Sequence, residues 1–474
     1  MNPITENERF RLQAFLSYFY NLYFLLQFVS RFMYHRYVLC FFILIHTAAA
    51  AVAQGQVRAE KSSGTAVEGQ VFSGSAADIK ESMTLDDCLR FALKNQPAVH
   101  KAQIDESIAG KNKSIALSSW LPQVSGTANL QHYFQLPTAV SNSGGTQTFI
   151  TSGVYNYSLP QFTATQALFS NDVVYAARAA KLLVQESREN TRAVKIAVVS
   201  EVTKAFYGLL LSVQQIGVYR EDTARLRKNQ QDAYHRYISG VADKVDYRQA
   251  SISLNNSVAR LKSASENVQS KFALLKQLMG CPPDKNFTVT FDTARLMQEI
   301  YTDTLKGLQF EKRIEYQILQ TEKKIRREST KYYSAGFLPS LSGFYNYVHE
   351  YENNKFSDLY NRAFPYASFG LQLNIPVFSG FRRIEEIRKS RLQEQRTDWD
   401  EVNLKLAVYT EYQAALSDYK TNLFYLRSQA ENAAMAREVY NIVKLQYSEG
   451  IKPYLDVIVA ESDLQTSEIN YLNA

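Results

Sequence analysis

The chain has few of the side chains that build catalytic or metal centres: three cysteines and six histidines among 474 residues. It also lacks a P-loop, an H-E-x-x-H motif, a G-x-S-x-G motif and a dinucleotide-binding motif. The histidines are scattered without the spacing of metal ligands, at positions 35, 46, 100, 132, 235 and 349. The sequence therefore predicts that the protein is not an enzyme, and it gives no reason to expect a cofactor or a bound metal ion.

A concentrated block of basic charge is lacking as well. The formal net charge is +7, and because residues 1–53 hold four Arg and two Glu, about +5 remains without them, spread over both halves of the chain. Nucleic acid is therefore not an expected partner. Two cysteines, Cys88 and Cys281, lie outside that N-terminal stretch. The sequence leaves open whether they form a disulfide or occupy separate positions.

The N-terminal 53 residues have the pattern of an export signal. Arg31 and Arg36 precede an apolar run at 37–46, and small residues follow up to Ala53, which together predict a signal peptide and leader over 1–53. A retained membrane helix is the alternative. Residues 54–83 are rich in Gly, Ser, Ala and Gln and are expected to be flexible. Beyond the leader, no apolar run is expected to be long enough to span a bilayer as a helix.

Three short phrases recur in the same order, which indicates an internal duplication. They are W-L-P-Q-V-S-G at 120–126 and F-L-P-S-L-S-G at 337–343, L-F-S-N at 168–171 and V-F-S-G at 377–380, and Y-I-S-G-V at 237–241 and Y-S-E-G-I at 447–451. A period this long does not describe a solenoid unit. It predicts two structurally equivalent halves, over 84–290 and 291–474.

Most of each half is expected to be helical, because apolar residues recur at steps of three and four. The expected helices lie near 85–118, 171–236, 242–279, 307–335, 381–447 and 453–474. At 1.5 Å per residue, the helix from 171 would be about 100 Å long, which no compact globule needs. Gly240 and Gly450 permit tight turns, so that four of these helices form two antiparallel hairpins with tips near 240 and 450. Compared with the equivalent helix of the first half, the last helix is expected to be short by about 15 residues, and the sequence leaves open whether it is truncated or genuinely shorter.

Between the helices, apolar and polar residues alternate with a period of two, which predicts four strands, two in each half. Their expected bounds are about 123–134, 155–169, 340–350 and 366–378, with polar loops at 135–154 and 351–365. Strands of this length with aromatic ends are typical of a transmembrane β-barrel, although a soluble sheet has nearly the same pattern. Because four strands cannot close around a lumen, several chains would have to share one barrel.

Residues 84–474 resemble the TolC-like outer-membrane efflux proteins, also called outer membrane factors. The resemblance rests on the helix start at 85–97, the Leu-Pro strand entries at Leu121 and Leu338, and the strand exit P-V-F-S-G at 376–380. It implies a mainly α fold with a transmembrane β-barrel. Duplicated long α-helical hairpins would form a trimeric periplasmic tunnel, and four strands from each protomer would contribute to a twelve-stranded barrel.

The same resemblance implies a function and partners. The chain would be the outer-membrane exit duct of a tripartite efflux or type I secretion system, with a long periplasmic extension. A homotrimer would work with a periplasmic adaptor, an inner-membrane transporter and outer-membrane lipid. The alternative is a periplasmic coiled-coil adaptor or structural protein without a pore, which would not need four lipid-compatible strands.

The resemblance also assigns a periplasmic gate to the tips. Asp456, six residues after Gly450, would line the aperture, and three copies of it would form a negative ring that favours cations. Lys452 would tie to Asp246 of the other tip and to Tyr447. Because Lys stands where Arg is more usual, a bidentate clamp is lost and the tether should be looser. The plainer alternative is that Asp246 and Asp456 only stabilise the first turn of a helix.

The exposed turns would also dock the adaptor. The predicted docking rim consists of Arg236, Tyr237, Gly240, Val241, Gly450 and Ile451. The alternative is that the aromatic side chains pack against the neighbouring hairpin.

Overall fold

The structure is a computed structural model that describes residues 80–143, 146–291, 300–301, 304 and 307–474. The predicted signal peptide at 1–53 and all but the end of the predicted flexible segment at 54–83 lie outside the described residues. Ser82–Met83, at the end of that segment, forms a short strand, β1, which pairs in parallel with β6 at Thr288–Val289. The expectation of a flexible segment is therefore wrong for these two residues.

Helices dominate the described residues, and two of them are very long. Their bounds are α1 Leu85–Asn95, α2 Pro97–Ser118, α3 Asn171–Ile238, α4 Lys244–Met279, α5 Ile314–Ser334, α6 Arg382–Ser448 and α7 Tyr454–Asn473. Helices α3 and α6 contain 68 and 67 residues. Helices α3 and α4 pack as one hairpin, and α6 and α7 pack as another; below they are called the first and the second hairpin.

The helix predicted over 85–118 is broken in two at Gln96, and proline is the reason. Pro97 lacks a backbone N–H and restricts the residue before it to extended geometry. Gln96 accordingly has φ −66° and ψ 124°, while its N–H still bonds to the carbonyl of Ala92 at 2.8 Å. Proline is well tolerated as the first residue of the new helix, α2.

A four-stranded antiparallel sheet stands between the helices of the two halves, in the order β2-β5-β7-β8. The strands are β2 Gln123–His132, β5 Asn156–Phe169, β7 Ser340–Asn353 and β8 Ala363–Asn374. The central pair, β5 and β7, joins the two halves of the chain directly. Both halves thus run helix, strand, strand, long helix, as α2-β2-β5-α3 and α5-β7-β8-α6.

The segment predicted as a polar loop at 135–154 contains two further strands, β3 Thr138–Ser143 and β4 Thr146–Thr151. They pair with each other as an antiparallel ribbon, from Thr138 opposite Thr151 to Ser143 opposite Thr146. β-branched residues alternate with others, as Thr138 and Val140 in β3 and as Thr146, Thr148 and Ile150 in β4, and such residues favour strands. The prediction of a loop was based on the polar composition of this segment and did not consider the strand preference of its β-branched residues.

The largest hydrophobic core joins α1, α3 and α4. Val202, Phe206 and Leu209 of α3 pack against Leu275 and Met279 of α4. All five side chains are at most 1 % exposed. This core fixes the start of the first half against its hairpin, far along α3 from the tip.

The two cysteines that the sequence left open lie in this core as free thiols. Cys88 and Cys281 are both buried. Burial, followed by the neighbouring charge of Asp87, raises the pKa of the Cys88 thiol to about 12. Cys88 is therefore an inert, small apolar residue, in line with the second of the two alternatives.

By length and composition, α3 is apolar enough to cross a membrane, since one stretch of it has a mean hydropathy of 1.5. The expectation that no such run exists beyond the leader is therefore wrong. About 33 % of the stretch is buried within the described structure. Because α3 supplies Val202, Phe206 and Leu209 to the core, packing accounts for apolar residues in this helix.

Candidate functional site at the hairpin tips

The two hairpin tips have the same backbone turn. Gly240 and Gly450 both have φ +74°, in the left-handed region that glycine adopts without strain. The N–H of Val241 bonds to the carbonyl of Arg236 at 2.9 Å, and the N–H of Ile451 bonds to that of Gln446 at 2.8 Å. This pairing is a Schellman motif, which closes the C-terminal end of a helix. The duplication seen in the sequence is therefore repeated at the level of single hydrogen bonds.

The returning helices begin differently at the two tips. At the first tip, the Asp243 side chain accepts from the N–H of Val245 at 3.2 Å and caps α4. At the second tip, Pro453 precedes α7 and no side chain caps it. Asp246 and Asp456 lie at equivalent places in the first turns of these helices. Burial, followed by the charge of Asp243, raises the pKa of the Asp246 carboxyl.

A small apolar core holds the two hairpins together just inside the tips. It contains one buried residue from each helix of the first hairpin, Ala233 and Ala250, and a larger set from the second. The second hairpin contributes Tyr440, Val443, Tyr454, Val457, Ala460 and Leu464. The two tips of a single chain therefore form a packed end of four helices.

Arg236 is the main polar link between the tips. Its guanidinium donates to the carbonyls of Tyr447 and Ser448 at 3.2 and 2.6 Å. It also lies over the Tyr447 ring, 4.7 Å from the centroid. A cation at these carbonyls complements the negative end of the α6 dipole. The structure thus brings together a residue predicted to dock the adaptor and a residue predicted to form the gate.

Lys452 and Asp456 form an ion pair within the second tip. The Lys452 Nζ lies 3.3 Å from the Asp456 Oδ2, and both side chains are about 40 % exposed. The sequence predicted that Lys452 would tie to Asp246 and Tyr447. Among the described residues of one chain, Arg236 is the basic residue that contacts Tyr447. Lys452 pairs instead with Asp456, in the first turn of the helix that follows it. A gate role for these residues stays a prediction.

The aliphatic side chains of the predicted docking rim are exposed. Val241 and Ile451 are 72 % and 71 % exposed. Tyr237 is half-buried and stacks on Tyr247 across the first hairpin, with ring centroids 6.3 Å apart and 9° between the planes. Tyr237 thus packs within its own hairpin, which is not the packing against the neighbouring hairpin that the sequence left open, whereas Val241 and Ile451 face outward from their turns.

Comparison with known proteins decides the family. The model of the outer membrane efflux protein family matches residues 89–281 and 319–474, which is most of the chain. The chain belongs to the outer membrane efflux protein family. It is accordingly an outer-membrane protein that serves as an exit duct for efflux or secretion, with a helical periplasmic part. The adaptor alternative is not favoured.

Individual relatives of this efflux protein are distant but nearly complete in coverage. The chain is 24 % identical to the outer membrane efflux protein BepC of Brucella suis, over 86 % of this chain and 85 % of the relative. It is 21 % identical to the alkaline protease secretion protein AprF of Pseudomonas aeruginosa, over 83 % of each. The fold is similar to that of VceC of Vibrio cholerae, with a TM-score of 0.65 and 15 % identity, over 82 % and 92 % of the two chains.

Replacing Arg236 by Ala should loosen the second tip of this efflux protein. The change removes two charge-assisted hydrogen bonds, together worth about 2 kcal/mol, so we expect local opening to increase about thirtyfold. Hydrogen–deuterium exchange of the amides at 446–451 measures this. Arg236→Lys keeps the charge but not the paired donors, and should lose less.

The matched control is Arg248→Ala, on the same tip. The Arg248 guanidinium lies over the Tyr247 ring of its own helix, 5.8 Å from the centroid. Exchange at 446–451 should stay at the wild-type rate in this control. Equal exchange in Arg236→Ala and wild type would show that the guanidinium does not hold the tips together.

A group of buried charged side chains between the hairpins was missed by sequence reasoning. Its members on α3, Asp222, Arg225 and Asn229, recur at steps of three and four, as residues on one helix face do. Three polar residues at that spacing, on a helix that also has an apolar face, are a feature of the sequence that could have indicated a polar contact between helices.

Proposed function

We propose that three copies of the chain form one duct, in which three four-stranded sheets close a twelve-stranded barrel and the long hairpins continue it as a tunnel. The observation that carries this proposal is the sheet of four strands with two open edges. Open strand edges cannot remain unpaired in a bilayer, because each backbone polar group without a partner costs several kcal/mol. Pairing β2 of one copy with β8 of the next satisfies both edges.

The exposed side chains of the edge strands support a position in lipid. Leu130 on β2 is 55 % exposed, and Phe369, Leu371 and Leu373 on β8 are 74 %, 61 % and 57 % exposed. Alternate residues of β8 thus form one apolar face, as in the lipid-facing side of a membrane barrel. A soluble sheet would bury such a face against a core.

The length of the hairpins supports the tunnel. At 1.5 Å per residue, the 68 residues of α3 span about 100 Å. The tips would then lie far from the barrel, where a periplasmic adaptor and an inner-membrane transporter can reach them. We propose that Val241 and Ile451, the exposed apolar residues of the turns, contact the adaptor around Gly240 and Gly450. AprF, by its name, takes part in protease secretion, so a protein cargo is one option for this duct.

We propose that Asp456 lines the pore end, where its charge is partly balanced by Lys452. Two substitutions should therefore act in opposite directions on ion selectivity in a planar bilayer. Asp456→Ala should lower the preference for cations, and Lys452→Ala should raise it. A unit charge at 4 Å contributes about 1 kcal/mol in water, so we expect a change of about fivefold in the permeability ratio.

The control is Asp463→Ala, an exposed carboxylate seven residues further along α7. Selectivity should be unchanged in this variant. If Asp456→Ala and Lys452→Ala both conduct with wild-type selectivity, the duct stands and the gate assignment is rejected. If the purified wild type neither conducts nor forms a trimer, the duct itself is rejected.

A further inference from the structure

Three carboxylates are buried between the two hairpins, next to the small apolar core described above and further from the tips. Asp222 of α3 is 1 % exposed, and Glu461 and Glu468 of α7 are 3 % and 7 % exposed. Buried carboxylates are rare unless they are paired with cations or carry a proton. The described residues contain no group of side chains that could hold a metal ion. Basic side chains and protons are the means by which charge can be balanced in a buried place of this kind.

One guanidinium faces all three carboxylates. Arg225 of α3 lies 3.5 Å from the Asp222 Oδ1, 3.5 Å from the Glu461 Oε1 and 3.7 Å from the Glu468 Oε2. At these distances the contacts are ion pairs without close hydrogen bonds, and the Glu461 Oε1 and Glu468 Oε2 have no hydrogen-bond partner. One positive charge is thus shared among three buried negative ones, and a fourth carboxylate, that of Glu221, lies 4.0 Å from the guanidinium but is 71 % exposed.

Asp222 and Glu468 have further support from neighbouring helices. Ser257 of α4 donates to the Asp222 Oδ2 at 2.7 Å, and Gln465 of α7 donates to the same oxygen. Arg260 of α4 holds Gln465 in place through a 2.5 Å bond to its Oε1. Glu468 receives a second cation, since Arg437 of α6 lies 2.5 Å from its Oε1.

Glu461 has the weakest support of the three. Its close partner is the neutral amide of Asn229, which donates to Oε2 at 2.9 Å. Lys444 of α6 favours ionisation of Glu461 but bonds to the Tyr440 hydroxyl at 3.3 Å. Burial, followed by the charge of Asp222, raises the pKa of the Glu461 carboxyl to about 7, against the opposing effects of Arg225 and Asn229.

Glu221 is exposed to solvent, and the buried charges within 4 Å of Arg225 and Arg437 do not balance when every buried acid is ionised. Three carboxylates then face Arg225 and Arg437, and one negative charge is left over in a buried place. With a proton on Glu461, the two remaining carboxylates match the two guanidinium groups. Burial raises the pKa of Asp222 as well, so the cluster as a whole favours taking up a proton.

We propose that this cluster is a proton-linked latch that holds α7 of the second hairpin against α3 of the first when Glu461 is protonated and loosens when Glu461 is ionised. The contacts of the latch belong to a single chain and do not depend on the pore. Its consequence for transport rests on the proposed function: loosening α7 frees the hairpin end that carries Asp456, so the pore end would open more readily as the pH rises.

The direction of the pH effect follows from proton linkage. Glu461 binds its proton more tightly in the packed joint, with a pKa of about 7, than it would in water, where Glu titrates near 4.3. The stabilisation of the joint by the Glu461 proton is therefore fully present below about pH 4.3 and is lost as the pH rises from there to about 7. Above about pH 7 the stability of the joint no longer changes with the ionisation of Glu461. Within the window the opening constant rises by at most about tenfold per pH unit.

Hydrogen–deuterium exchange of the amides at 454–468, in the intact protein, tests the latch without requiring transport. After correction for the intrinsic pH dependence of exchange, wild-type opening should increase about tenfold or more between pH 5 and pH 7. Glu461→Gln keeps the shape of the protonated side chain, so it should keep α7 protected at pH 7. Glu438→Gln, on the exposed side of α6, should follow the wild type.

A second variant, at Asp222, tests the latch in case Glu461→Gln disturbs the local fold. Asp222→Asn removes a charge that raises the pKa of Glu461 in the packed joint, so the rise in opening should level off at a lower pH and be smaller between pH 5 and pH 7 than in the wild type. A wild-type profile that is flat between pH 5 and pH 7, or a Glu461→Gln profile identical to the wild type, would overturn the latch. Bilayer conductance reports separately on the duct, which can fail while the exchange profile holds.

Discussion

Gly280→Ala is expected to lower the free energy of unfolding by about 3 kcal/mol. Gly280 ends α4 with φ +69°, and a non-glycine residue there costs about 1–2 kcal/mol. A Cβ at this position would also lie 2.7 Å from the backbone oxygen of Asn95 and 3.0 Å from the Cα of Gln96. Because both neighbours are backbone atoms at the break between α1 and α2, they cannot move aside cheaply. Chemical denaturation in detergent, followed by helical circular dichroism, measures the change.

The chain offers a matched control in Gly450→Ala. Gly450 has nearly the same backbone angle, φ +74°, but no atom lies within 4 Å of the position of its Cβ. This variant should show the conformational strain alone, about 1 kcal/mol. An equal loss of stability in both variants would mean that the close approach of α4 to Asn95 does not contribute.

Phe206→Ala is expected to destabilise the protein by about 3–5 kcal/mol, the range for truncating a buried aromatic residue. Phe206 is 1 % exposed and belongs to the core that joins α1, α3 and α4. Its removal leaves a cavity beside Leu209 and Leu275. The shift of the denaturation midpoint in detergent checks the expected loss.

Phe206→Leu is the control, because Leu fills much of the same space. It should cost about 1 kcal/mol, in the range for apolar substitutions of similar volume. If Phe206→Ala loses no more stability than Phe206→Leu, this core does not hold the first half of the chain together.

The repeated phrases made the architecture predictable, because each lies at a structural transition. The Leu-Pro pair at Leu121 and Leu338 comes just before β2 and β7, and the glycines of the third phrase form the two tips. Helix period and strand alternation then placed the long hairpins and the four strands of the sheet. These features depend on local sequence, so that a single sequence was enough to predict them.

Features that depend on contacts between distant residues were not predictable in the same way. The sequence could not show that Arg236 of the first tip bonds to the carbonyls of Tyr447 and Ser448 at the second. It also could not show that Asp222 faces Glu461 and Glu468, more than 230 residues further along the chain. Both arrangements arise because the first hairpin packs against the second, and no local pattern specifies that packing.

The sharing of one barrel by three copies is tested most directly by joining the edge strands of neighbouring chains. Ser125 on β2 and Ser368 on β8 are linked through the register of the sheet and lie on the same face of it. Ser125→Cys combined in turn with Tyr366→Cys, Ser368→Cys and Gln372→Cys covers several registers. The native Cys88 and Cys281 are buried, and each single variant serves as a control.

Oxidation of these double variants in outer membranes, followed by denaturing electrophoresis, gives the answer. We expect a covalent trimer for at least one pair and monomers for every single variant. Monomers alone for every pair, in protein that is inserted in the outer membrane, would contradict a barrel closed between β2 and β8 of neighbouring copies.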